Sequence, residues 1–139
     1  MTADVFERHV RRFDEVLGFL ERLADTPWER FRDDPEKYGS AERFLQVAVE
    51  VLNDLGAHLV ARSGGEPAVT YRDVPTRLLE AGLLDEAQAN VWRRVIGFRN
   101  VVVHEYLDVD RKLVHDVLQH RLGDLRDLMR ALLRGLATG

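Results

Sequence analysis

DEAQANVWRRVIGFRNVVVHEY, residues 85–106, is the stretch on which the reading of the fold turns. Asp85 reads as an N-cap, and the residues after it repeat apolar positions by threes and fours, the period of an α-helix. At about 100° per residue, Val91, Val95, Phe98 and Val102 share one face and are expected to meet a core. Arg93, Gly97, Asn100 and His104 repeat the same spacing on the opposite side. Gly97 costs roughly 1 kcal/mol relative to alanine inside a helix. It makes sense on a polar stripe where another backbone or a ligand comes close. Arg99 lies between the two faces, roughly 140° from His104 in an ideal helix. Three arrangements could unite them: the arginine wraps around, the helix deforms near its end, or a second copy supplies the missing group.

The helical period continues outward in both directions. Thr2 reads as an N-cap ahead of Val5, Phe6, Phe13, Val16, Leu17, Leu20 and Leu23. Thr26-Pro27 reads as a cap followed by proline at the first helical position, opening a short helix through Phe31. The segment DDPEKYGS breaks it, and Ser40 is expected to cap a long helix reaching about Arg62, with Phe44, Val47, Ala48, Val51, Leu52, Leu55 and Leu59 inward. RSGGEPAVTYRDVP (62–75) is a Gly- and Pro-bearing loop. A short helix follows from about Asp73 to Ala81, stopped by Gly82. The 85–106 helix comes next. Asp108 or Asp110 then starts a last helix toward Leu136. No strand pattern competes, so the expectation is an all-α, up-and-down bundle of four long helices with one or two short ones, in a single domain over residues 1–139.

The chain has 139 residues, enough to enclose one core, and 45% of them are hydrophobic against 32% charged, the balance of a solvated globular protein. With no cysteine, disulfides and thiolate metal sites are excluded, which suits the cytoplasm. The first residues carry no signal-peptide core, and no uninterrupted apolar run suggests a membrane span. A formal net charge of −4 gives no global pull on nucleic acid, so RNA binding would need a local basic patch. Arg93 and Arg94, beside Arg99, form that patch.

Other titratable groups give less. Asp54 and His58 lie four apart and could pair, though His58 reads more simply as a surface or core-edge group. His9 sits among arginines as a solvated group, and His115 and His120 are spaced to face different ways. No acidic cluster suggests a metal, and SGGE is too short for a phosphate loop. The motif residues also have ordinary readings. His104 could be plain surface, Arg99 could cover apolar area with its stem, and Tyr106 could anchor a helix end.

The stretch GFRNVVVHEYLDVD resembles the signature of the HEPN superfamily, in particular its HepT-like branch: arginine, a polar residue, three variable residues, histidine, and a tyrosine two positions on. Arg99, Asn100, His104 and Tyr106 match it. LQVAVEVLNDLGAHLVARSG, TYRDVPTRLLEAGLLDE and VHDVLQHRLGDLRDLMRAL resemble the family's other helices, so the likeness covers roughly residues 40–135. TPWERFRDDPEKYGS is less familiar.

The resemblance implies a HEPN-like helical fold and a homodimer with both motifs at the interface. It implies a metal-independent endoribonuclease with no cofactor, the toxin of a toxin–antitoxin pair. The partner it implies is a minimal nucleotidyltransferase antitoxin that attaches AMP to Tyr106. The residue types suit that chemistry. Cutting RNA without metal means deprotonating a 2′-hydroxyl, stabilising a dianionic phosphorane and protonating the leaving 5′-oxygen. Imidazole can serve either proton transfer, and guanidinium offers a fixed positive fork to the phosphate. Asn100 can orient His104 or donate to a phosphate oxygen. The alternative is a non-catalytic helical subunit that binds substrate or nucleotide for a nucleotidyltransferase. A third reading is a dimeric scaffold in which Tyr106 is only a contact.

Overall fold

The computed structural model describes residues 1–104, 107, 109–137 and the backbone of 138. Among these residues there are helices and no strand: α1 (Ala3–Ala24), α2 (Trp28–Asp33), α3 (Pro35–Ser63), α4 (Asp73–Glu80), α5 (Glu86–His104), α6 (Arg111–His120) and α7 (Leu122–Thr138). The all-α class is as expected, with α1, α3, α5 and α7 the longer members.

Local capping chemistry sets most of the boundaries. Thr2 accepts a hydrogen bond from the Val5 amide, and Asp110 accepts from the amides of Lys112 and Leu113. Asp85 and Gln88 cap each other reciprocally, the Gln88 amide donating to Asp85 Oδ1 at 2.7 Å and the Asp85 amide to Gln88 Oε1 at 2.9 Å. Gly82 adopts φ 76° just past α4, a conformation that costs a side-chain-bearing residue dearly.

Three boundaries differ from expectation. The long helix begins at Pro35 rather than after Ser40, because Asp34 caps it through the Glu36 amide and proline is at home in a first turn. Pro27 is itself the N-cap of α2, with no side-chain cap bond. The Thr26 carbonyl instead accepts a hydrogen bond from the buried His115 ring, which joins α6 to the α1–α2 turn. The expected last helix is two helices, parted at Arg121.

α3 is the axis of the fold, packing against each of the other six helices. This explains why Ala41, Leu45, Ala48, Val49, Leu52, Leu55, Leu59 and Val60 are buried on several sides of it. By length and composition α3 could cross a membrane, but more than half of its most apolar window is spent on the protein core. Phe13, Val16, Leu17 and Leu20 of α1 join Leu128 and Leu132 of α7 and Trp92 of α5 in that core.

The α3–α5 contact fixes where the motif lies. A Cβ at Gly56 would come within 2.6 Å of Val74 Cγ1 and 2.8 Å of Trp92 Cη2, so only glycine lets α4 and α5 approach this closely. Asn53, 1% exposed, accepts the Trp92 indole N–H at 2.9 Å. A buried indole nitrogen left without an acceptor costs about 1–3 kcal/mol, so this bond fixes the rotation of α5 as well as its distance. Partners fall in number along α3 as they rise along α5, from Gly56–Trp92 to Glu50–Arg99, so the two helices run in opposite directions.

The buried stripe of α5 is therefore not the one the valines suggest. Ala89, Trp92 and Ile96 are the deep residues, joined by Val102, while Val91, Val95 and Phe98 are only half-buried. Those three line an apolar groove with Leu113 and Val117 of α6.

Candidate functional site

Arg99 follows Trp92 by two turns, so the rotation that buries the indole also turns the guanidinium toward α3. There its Nη2 donates to Glu50 Oε1 at 2.9 Å, and its Nη1 donates to Asn100 Oδ1 at 3.3 Å. Gln46 Nε2 also donates to Glu50 Oε1, at 3.1 Å. Burial alone would raise the Glu50 carboxyl. The hydrogen bonds from Arg99 and Gln46, with the charges of Arg99 and Arg43, outweigh it and hold the group below the usual carboxylate range. The Arg99 side chain is 22% exposed, so one edge of its fork is spent on the protein while part of it still meets solvent.

One turn along α3, Asp54 continues the polar row. The Tyr71 hydroxyl donates a short hydrogen bond to Asp54 Oδ1. His9 Nε2 stands 3.6 Å from Asp54 Oδ2, an ion pair when the ring is protonated, while His9 Nδ1 donates to the Val5 carbonyl at 2.8 Å. Bonded to a carboxylate, partly buried and close to the charge of Glu50, the Tyr71 hydroxyl is pushed up to about 12. These contacts bear out His58 as a core-edge group and correct the expectation for His9. Asp54 partners His9 and Tyr71 rather than His58, and His9 is half-buried in a bonded position rather than loosely solvated. His58 packs its ring against Phe6, and burial pushes its imidazole down from the ordinary value.

Arg93 and Arg94, read as one patch, part company. Arg93 donates to Asn90 Oδ1 at 2.7 Å and to Thr76 Oγ1 at 3.0 Å, and it borders a groove with Arg72, Ile96, Gly97 and Asn100. Arg94 lies around the helix, beside the apolar groove of Val95 and Phe98. Gly97 is exposed, and a Cβ there would meet nothing within 4 Å, so this helix face is open.

His104 is exposed at the last described turn of α5 and makes no hydrogen bond or ion pair among the described residues. Arg99 and Asn100 are thus brought together, and His104 is not brought to Arg99 within those residues. Tyr106 lies outside the described residues. Among the described residues, no three His, Asp or Glu side chains gather as metal ligands would.

The sequence reading missed Glu50, Tyr71 and Arg72 as neighbours of the motif. A signal for the first was present, because Gln46, Glu50, Asp54 and His58 repeat every four residues along an otherwise apolar helix. Nothing local marks Arg72.

Comparison with known proteins bears on this geometry. A candidate RNase of Archaeoglobus fulgidus is 31% identical over 108 residues, covering 78% of this chain and 81% of that protein. The mRNA nuclease HepT of Shewanella oneidensis is 24% identical over 123 residues, or 88% of this chain and 86% of its own. A solved complex of a tri-AMPylated Shewanella oneidensis HEPN toxin with MNT antitoxin shares the fold at TM-score 0.85 and 20% identity, over 96% of this chain and 99% of that one. The sequence profile of a family described as Ribonuclease HepT-like matches residues 13–132, a span that takes in both the α3–α5 contact and the Arg99–His104 motif; the chain belongs to that family.

Proposed function

We propose that the chain is a metal-independent endoribonuclease, the toxin of a pair whose antitoxin is a minimal nucleotidyltransferase. The observation that carries this reading is Arg99, held at a fixed place beside Asn100 on the α3–α5 contact, with His104 exposed one turn further on. In this reading a 2′-oxygen attacks the adjacent phosphorus, the P–O5′ bond breaks, and the products are a 2′,3′-cyclic phosphate and a 5′-hydroxyl. His104 moves the proton, Arg99 offsets the charge on the phosphorane, and Asn100 orients the ring or donates to a phosphate oxygen. Arg93 and Arg94 meet the RNA backbone.

A homodimer that meets along the face of Gly97 and His104, leaving a cleft between its copies there, completes the proposed site. It would place two imidazoles in one cleft, one as base and one as acid, and would let one copy supply the histidine that the other copy's Arg99 lacks. Proteins of this fold include a toxin–antitoxin complex solved with AMP-PNP and the tri-AMPylated toxin above, which supports control by AMPylation. The Tyr106 oxygen would attack the α-phosphorus of ATP and release pyrophosphate. The added phosphodiester would then bring bulk and negative charge to the arginines that RNA would otherwise meet.

The test is co-expression with a minimal nucleotidyltransferase followed by intact-mass and peptide analysis. Whole AMP units on Tyr106 are expected, together with loss of RNA cleavage. Tyr106→Phe should still cleave yet escape silencing. Modification at Tyr71 instead, or a silenced Phe variant, would defeat the assignment. Occupation of Arg99 by Glu50 favours the second reading, a non-catalytic binding subunit. Growth arrest by the unmodified protein that His104→Ala relieves decides against it.

A further inference from the structure

The groove beside α5 is lined by two arginines whose charge no carboxylate offsets. Arg93 is held by neutral acceptors only, Asn90 Oδ1 and Thr76 Oγ1, so its guanidinium is oriented without being neutralised. Arg99, by contrast, shares its charge with Glu50. Arg72 makes no hydrogen bond or ion pair among the described residues and lines the same groove of about 280 Å³.

The backbone that carries Arg72 is tied on both sides. Tyr71 bonds Asp54 of α3, and Asp73 Oδ2 accepts the amides of Val69 and Thr70 at 3.0 and 3.2 Å. Asn100 is the third polar lining group. With its Oδ1 engaged by Arg99, what it has left to offer is the amide NH₂. The groove wall is therefore made of donors, two of them cationic. Its floor at Gly97 has no side chain to keep a strand away from the helix.

We propose that Arg72, Arg93 and Asn100 form a second anion subsite over Gly97, which takes a phosphodiester of the RNA strand next to the one that is cut. The assignment rests on the ribonuclease reading for the identity of the strand, though Arg72 and Arg93 take no part in the catalytic step. It makes Arg72, supplied by the turn before α4, a binding residue for substrate length rather than for bond cleavage. It also distinguishes Arg93, inside the groove, from Arg94, outside it.

The experiment measures binding of a single-stranded 2′-O-methyl RNA oligonucleotide, which cannot be cut through its 2′-oxygens, across a salt series. Cleavage of the matching unmodified oligonucleotide and of a dinucleotide is measured in parallel. Arg72→Ala and Arg93→Ala should each weaken binding about tenfold and lower the salt slope by about 0.7, one single-strand phosphate contact. For the long substrate Arg72→Ala should raise KM with kcat kept, and it should cut the dinucleotide as wild type does. Arg130→Ala, on the exposed side of α7, is the control for net charge.

Wild-type binding and cleavage with no change in either variant beyond that of Arg130→Ala overturns the subsite and leaves the ribonuclease reading standing. Binding that depends on Arg72 and Arg93 in a wild type that cuts nothing does the reverse. Absence of both binding and cleavage overturns both.

Discussion

From Ala89 to Ile96, α5 is held by shape: a buried indole, a glycine cut to fit it, and one hydrogen bond that sets rotation. From Arg99 to His104 the same helix is held by a carboxylate on α3 and then, among the described residues, by no polar partner at all. The first half supplies stiffness where nothing reacts. The second carries the groups proposed to react, on a rod already fixed elsewhere. Stability and chemistry can therefore be damaged separately, and each of the following changes tests that division.

The largest effect is expected at the exposed end. His104→Ala should lower RNA cleavage by about 10²–10⁴-fold, the usual cost of losing a general acid or base, with the unfolding midpoint unmoved. A matching fall in stability would show that the histidine is part of the packing and would blur the contrast. Trp92→Ala should do the opposite, costing about 3–5 kcal/mol of unfolding free energy by denaturant titration, the range for a large aromatic removed from a core. A loss under 1 kcal/mol would mean that the indole is not what fixes α5.

The smallest effect belongs to the junction between the halves. The Glu50 carboxyl is held below its ordinary value near 4.5, so its contribution to stability is full above that value and fades as pH falls through the lower folded one. Glu50→Gln should accordingly be less stable than wild type at neutral pH, and the gap should close on acidification. Denaturation curves at several pH values check this. A gap of constant size would remove Glu50 as the group that tethers Arg99.

What could be read from the sequence followed from local chemistry. Thr2, Asp85 and Asp110 cap through their own side chains, and Gly82 takes a conformation other residues avoid, so these boundaries were legible. The sequence reads Ser40 as the cap of α3 and Asp34 as part of a break, although Asp34 caps a helix that extends over Tyr38 and Ala41, both packed in or against the core. The core stripe of α5 is misjudged in a similar way. Val91–Val95–Phe98 and Ala89–Trp92–Ile96 both have helical spacing, and only the notch at Gly56 selects the second.

The candidate site shows the same limit. Arg99, Asn100 and His104 stand together in sequence, but the carboxylate that holds Arg99 is 49 positions away. Arg72 enters from a turn whose placement depends on Tyr71 reaching Asp54, 17 positions away. Adjacency of Arg93 and Arg94 suggested one patch, whereas helical rotation separates them by about 100°.

Gly56 carries a mechanical consequence. Its missing methyl would stand 2.8 Å from Trp92, about 1 Å short of a comfortable carbon–carbon separation. From Trp92 to His104 is a lever arm of about 18 Å at 1.5 Å per residue. A nudge at its pivot, too slight to empty the core, is carried as tilt to His104, where the proposed reaction would need atoms to meet to within fractions of an ångström. A position with no side chain, on a different helix, thereby sets the aim of the histidine.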